Sequence, residues 1–241
     1  MAKRNLLLIL PLLALSFTSC ERYRCVEGNG NRTTETRNPG MFYGVVSFSD
    51  CDVFITIDTT LTEPEVRIEA DENVLPYIQT TLRSQDLEIT TRNNKCLETD
   101  LPVYVDIYMP SLDFVKLAGS GEIRCDDLTT ENLRIDLSGS GKILMQSVDC
   151  NYIDVNHTGS GMIEITGLTD ESSFLLSGSG TIIADQLRQY TCYVEFPGSG
   201  TMYVKALEKL SGELSGSGVI YYYRPHYLDI DITGSGYIEE L

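Results

Sequence analysis

The sequence predicts an all-β protein built as a single parallel β-helix, a solenoid whose coils are about 18–20 residues long. Three observations carry this. The triplet Gly-Ser-Gly occurs seven times, starting at Gly119, Gly139, Gly159, Gly178, Gly198, Gly216 and Gly234, so the spacings are 20, 20, 19, 20, 18 and 18 residues. Apolar residues recur two and four places before each triplet and two places after it, with polar residues between them; that period of two belongs to half-buried strand. And a coil this short cannot bury its apolar face alone, whereas coils stacked about 4.8 Å apart enclose a common core.

The strand before the triplet is marked by Val115, Ile135, Val155, Phe174, Val194, Gly212 and Ile230, followed two residues on by Leu117, Leu137, His157, Leu176, Phe196, Leu214 and Ile232. The strand after it is marked by Ile123, Ile143, Ile163, Ile182, Met202, Ile220 and Ile238. A further apolar position, Leu128, Val148, Leu168, Leu187 and Leu207, falls seven places after the triplet and is expected to point inward. Each coil therefore reads as strand, Gly-Ser-Gly corner, strand, turn. Glycine suits such a corner by allowing backbone angles that other residues avoid and by letting neighbouring coils approach. Ser120, Ser140, Ser160, Ser179, Ser199, Ser217 and Ser235 are then expected to stack as a structural ladder, with hydroxyls bonded to one another or to corner amides. As nucleophiles they would each need a base, and no His or Lys recurs with them.

Residues 41–110 lack the triplet but are rich in strand patterns, such as "YGVVSFSDCDVFITID" and "VYVDIYM". They are read as irregular early coils of one domain spanning 41–241, since end repeats of solenoids are atypical. A short helical turn is expected near Glu72 to Gln79. Residues 1–19 form a signal segment: Lys3 and Arg4, an apolar run from Leu6 to Leu15, then Phe17-Thr18-Ser19 before Cys20. That order predicts a lipobox, with Cys20 acylated. Residues 20–40 are polar and are read as the lipidated cysteine followed by a flexible tether.

The formal charge is −17, and removing Lys3 and Arg4 takes it to −19. Nucleic acid is excluded as a partner, and so is docking on anionic lipid through basic patches. The expected membrane link is the lipid on Cys20, which places the protein in the cell envelope, at the outer membrane. Six cysteines remain after Cys20. Cys51 and Cys96, both in the early coils, could pair. Cys125 and Cys192, on inward columns several coils apart, are expected to be free and buried.

Three further features bear on function. His157, on an inward column, is read as a neutral core histidine bonded to a Thr or the main chain. Tyr203, Tyr221, Tyr223 and Tyr237 fall on outward positions of the last coils, with Tyr222 inward; exposed aromatics can stack on sugars or anchor a protein partner. Glu195, Glu213 and Asp231 occupy one outward column on consecutive coils. They form either a solvated acidic stripe or a row of oxygen ligands for Ca²⁺, the one cofactor that the residues suggest.

The repeats "SGSGKI", "TGSGMI", "SGSGTI" and "SGSGVI", with "CDVFIT" before them and a lipoprotein-like start, resemble a family of exported Bacteroidota proteins. That family is described as "putative auto-transporter adhesin, head GIN domain". The resemblance covers about residues 42–241. It implies a β-helical fold and an adhesin-like role, and it brings no catalytic residue. The expected function is a non-catalytic, lipid-anchored envelope protein that binds a glycan or a surface protein. The alternatives are a polysaccharide lyase or hydrolase on the same fold and a purely structural envelope component.

Overall fold

The structure, a computed structural model, describes residues 25–241; the signal segment and Cys20 lie outside the described residues. Strands on either side of the triplets form two parallel stacks. The stack before the triplets runs through Asp86–Thr91, Gly44–Ser47, Phe114–Leu117 and Asn132–Leu137. It continues through the C-terminal parts of Lys142–His157, Met162–Leu176, Thr181–Glu195 and Thr201–Leu214, and ends at Tyr227–Ile232. The stack after the triplets runs through Tyr104–Met109, Asp52–Ile57 and Glu122–Asp126, then the N-terminal parts of the same four long strands, then Val219–Tyr223 and Tyr237–Glu240.

The strand register reproduces the triplet spacing. Ile123 pairs with Ile143, Ile143 with Ile163, Ile163 with Ile182, Ile182 with Met202, and Met202 with Ile220. These side chains are fully buried, as are Val115, Ile135, Val155, Phe174 and Val194 of the other stack. Period-two sequence columns are thus the physical columns of the core, and a one-residue slip would turn every one of them to water.

The triplets owe their glycines to the neighbouring coil. A Cβ built on Gly139, Gly159, Gly178, Gly198, Gly216 or Gly234 would overlap the carbonyl oxygen of the triplet glycine one coil earlier. Positive φ is not the reason: among the described residues the positive-φ glycines are Gly30, Gly40, Gly167 and Gly212, all outside the triplets. The close approach carries a hydrogen-bond ladder, in which the amides of Ser160, Ser179, Ser199 and Ser217 donate to Gly139, Gly159, Gly178 and Gly198 at 3.0–3.2 Å.

Four expectations need correction. The segment read as a tether is part of the fold from Cys25 onward. Val26–Glu27 pairs with Leu97–Glu98, and Arg32–Arg37 pairs antiparallel with Glu65–Asp71. Its polar composition is that of an outermost strand wet on both faces. Second, the disulfide joins Cys25 to Cys96, and Cys51 is free and buried. Cys25 and Cys96 each precede the Val26–Glu27 and Leu97–Glu98 pair, which sets their Cα atoms 4.6 Å apart.

Third, Leu168 is 48% exposed, although its column predicts burial; Leu128, Val148 and Leu187 of that column are buried. The cause is a β-bulge: Gly167, at φ +130°, takes the register place between Val148 and Leu187 and swings Leu168 outward. In the next coil Ala206 is buried and Leu207 is only partly so. The expected turn is in fact this bulged corner, so the strands on both sides merge into single strands of 14–16 residues. Fourth, only Ser120 of the seven triplet serines makes a hydroxyl bond among the described residues, donating to Asp50 Oδ1 at 2.6 Å.

The early residues close one end. Ile78–Arg83 adds antiparallel to Asp86–Thr91, and Glu65–Asp71 adds antiparallel to Tyr104–Met109. The helical turn expected near residues 72–79 is a single 3₁₀ turn, Leu75–Tyr77, beside which Val74 and Leu75 are buried.

Candidate functional site

Chemistry inside the coils is limited by packing. His157 is fully buried. The Gly159 amide donates to its Nδ1 at 3.3 Å, and its Nε2 lies 2.9 Å from the Gly161 carbonyl oxygen. Its partners are main chain, and a Cβ on Gly180 would collide with the imidazole; this is a histidine fitted to a corner. The free thiols of Cys51, Cys125, Cys150 and Cys192 are all buried. Burial pushes them up, to about 11 for Cys51 and about 12 for Cys125 and Cys192. Thiolate, the nucleophilic form, is thereby disfavoured.

The serines Ser120, Ser140, Ser160, Ser179, Ser199, Ser217 and Ser235 lie exposed in a row along the corner. The row starts at Asp50, which receives both the amide and the hydroxyl of Ser120. Asp50 stands in a triplet-like "SDC" of an early coil, beneath Gly119 and Gly121. The identity of the residue packed below the first triplet could not be read from spacing, because 70 residues separate Asp50 from Ser120.

Outside the coils, the face after the triplets is unusual. Its outward positions on the later coils are Met162, Thr181, Thr201 and Val219 in one row and Ile183, Tyr203 and Tyr221 in the next, in strand register. These side chains are half-buried although they point away from the core. Tyr203 and Tyr221 stack on each other, with ring centroids 4.9 Å apart and planes 14° apart. Lys205 covers the Tyr223 ring at 5.2 Å. Tyr237 lies one row over, paired with Val219, and is 51% exposed. Its hydrogen bond with the Tyr221 hydroxyl holds that phenol above its ordinary range. Tyr222 points inward and is buried. The tyrosines therefore form one connected patch, in which Tyr203 and Tyr221 spend one face on each other. Sequence reasoning found the tyrosines and missed their apolar neighbours Met162, Ile183 and Val219. The signal was available: these positions break the polar half of the period-two pattern.

The acidic row has the register that the sequence predicts, with Glu195 opposite Glu213 and Glu213 opposite Asp231. All three are exposed, and Glu213 accepts a hydrogen bond from Thr233 at 3.1 Å. Among the described residues, no group of three His, Cys, Asp or Glu side chains is arranged to hold a metal ion. Like charges on neighbouring strands oppose each other through solvent. Glu213→Gln should accordingly raise the melting temperature at low salt, and the gain should vanish at high salt. A calcium-dependent rise in the wild type that Glu213→Gln removes would instead assign the row to a cation.

Among the described residues, no helix is long and apolar enough to cross a membrane. No curated protein matches this chain. Several solved structures share its fold. A putative adhesin from Bacteroides fragilis is 22% identical with a TM-score of 0.83, over 90% of this chain and 100% of that one. A putative lipid binding protein from Parabacteroides distasonis, also 22% identical, has a TM-score of 0.73 over 90% and 100%. A putative adhesin from Parabacteroides merdae, 18% identical, has a TM-score of 0.61 over 90% and 98%. Residues 41–224, with their triplet-cornered coils, match one protein family, and the chain belongs to it: the family described as "Putative auto-transporter adhesin, head GIN domain".

Proposed function

We propose that this chain is a non-catalytic, lipid-anchored envelope protein that binds a surface protein or a glycan through the outside of its coils. The observation that carries this reading is the half-buried apolar and aromatic face formed by Met162, Ile183, Tyr203, Val219 and Tyr221. Aromatic residues in a flat, partly desolvated patch are what protein interfaces concentrate. The names of the structural relatives, adhesins and a lipid binding protein, agree with a binding role. A lipid ligand would also have to lie on this outer face, because the columns between the stacks are filled by side chains with no exposure.

The test is an array of immobilised matrix proteins and glycans probed with the mature chain. Saturable binding that Tyr221→Ala weakens at least about 10-fold, one hot-spot residue's worth, supports the reading. Release of reducing or unsaturated sugar ends would replace it with an enzyme. Anchoring is tested separately. Labelling with a fatty-acid analogue should mark the wild type, and Cys20→Ala should lose both the label and the membrane fraction. Two acyl chains hold a protein stably where one does not.

A further inference from the structure

The two ends of the solenoid differ. At the end formed by the early residues, Arg32–Arg37 and Ile78–Arg83 lie outermost. Glu35 and Arg37 stand in register with the buried Ile68 and Val66, so they occupy core columns. They bond each other at 2.7 Å, and the Arg37 guanidinium also donates to the Ile78 carbonyl at 2.9 Å and the Thr80 hydroxyl at 3.2 Å. Polar groups close that end.

The opposite end is open. Tyr227–Ile232 pairs with Thr201–Leu214, and Tyr237–Glu240 pairs with Val219–Tyr223; neither has a second neighbour among the described residues. Each therefore presents a row of unpaired backbone N–H and C=O groups. The core columns are uncovered there as well. Leu228 and Ile232 are 38% and 42% exposed, whereas Leu210 and Leu214, their partners one coil earlier, are fully buried. Between them stand Asp229 and Asp231, both exposed, and the neighbouring edge strand adds the exposed Glu239 and Glu240. Residues 225–241 contain no Lys or Arg. Arg224 reaches Glu240 at 3.5 Å.

An unpaired edge on which apolar and acidic residues alternate is a template for one kind of strand. A second copy of the chain fits it badly. A two-fold pairing of Tyr227–Ile232 with itself, kept in phase so that apolar residues meet, sets aspartate against aspartate. The closed end of another copy would press the Glu35–Arg37 pair onto Leu228, Ile230 and Ile232, stripping water from an ion pair.

We propose that the open edge of Tyr227–Ile232 docks an extended segment of a partner protein in which basic and apolar residues alternate. The two backbones pair as neighbouring strands, the apolar residues cover Leu228, Ile230 and Ile232, and the Lys or Arg side chains lie beside Asp229 and Asp231. Charge complementarity selects this partner over a neutral or acidic strand. The edge belongs to the stack before the triplets, away from the Tyr203–Tyr221 face, and the adhesion reading does not depend on it.

The experiment is fluorescence-anisotropy titration of the mature chain against three labelled, end-blocked hexapeptides: alternating Lys-Val, alternating Glu-Val, and a block of three Lys followed by three Val. The alternating Lys-Val peptide should bind about 10-fold or more tightly than either of the others, and less tightly as salt rises. Amide exchange at Tyr227–Ile232 should slow in the complex. The double variant Asp229→Lys, Asp231→Lys should invert the preference between the Lys-Val and Glu-Val peptides; both positions are exposed, and circular dichroism checks that the variant is folded. Equal binding of the alternating and block peptides, no binding of any of the three, or a preference that the double variant leaves unchanged overturns the proposal. Sedimentation of the chain alone should show a monomer; a dimer that Ile230→Arg disperses would give the open end to a second copy instead. If the proposal is overturned while array binding sensitive to Tyr221→Ala persists, the adhesion reading stands and only this edge is lost.

Discussion

Gly159→Val lowers the stability of the chain by more than about 3 kcal/mol, at or beyond the top of the usual overpacking range. Ser160→Ala, one residue away, changes it by about 0.5 kcal/mol or less. The contrast follows from what each residue touches. A side chain on Gly159 would be driven into the Gly139 carbonyl. That obstacle is backbone held in a ladder, and the Ser160 amide bonds the same oxygen at 3.2 Å. Relief would require two coils to separate, breaking pairings on both stacks. Ser160 exposes its hydroxyl to water and makes no side-chain hydrogen bond among the described residues, so its removal leaves nothing unpaired. Urea denaturation of the two variants against wild type measures both effects. A Gly159→Val variant as stable as wild type would show that the coils are not in this register.

Removing the Cys25–Cys96 disulfide is the other large perturbation. The bridge closes a loop with a sequence separation of 71 residues. In the chain-entropy description such a loop is worth about 4 kcal/mol. The locked region is the end cap, where Arg32–Arg37 and Glu65–Asp71 add antiparallel to the solenoid. Cys25→Ser should therefore lower the denaturation midpoint and first free the Arg32–Arg37 strand, seen as rapid amide exchange there while the Ile143 to Ile182 columns stay protected. Loss of protection in the middle coils before the cap would contradict that order.

The parts of the molecule that were legible in the sequence are those where one residue type meets one recurring environment. The Ile123 to Ile220 column, the inward Tyr222, the buried Cys125 and Cys192 and the acidic row all sit where period-two counting puts them. What escaped was decided by a local departure from the period or by long-range pairing. Gly167 offsets the bulged corner by one place and everts Leu168, and a single glycine in a loop-like "ITGLTD" gives no warning of that. Cys25 found Cys96 because an outer strand folded back from a segment as polar as a linker. The triplets themselves were read for the right place and partly for the wrong reason: their glycines answer to a carbonyl one coil away and not to backbone angle. For the candidate sites, the tyrosines were visible as residues. Which ring faces are free is a property of the folded surface alone.

If the outer surface of the folded coils mediates adhesion, the folded chain holds a particle on its target surface under flow. Beads coated with the mature chain are passed over immobilised matrix proteins and glycans, beside beads coated with the same chain denatured. The folded chain should hold beads on at least one surface, excess soluble chain should displace them, and no sugar fragment should be released. Equal retention by folded and denatured coats, or steady release of fragments by the soluble chain, would contradict it.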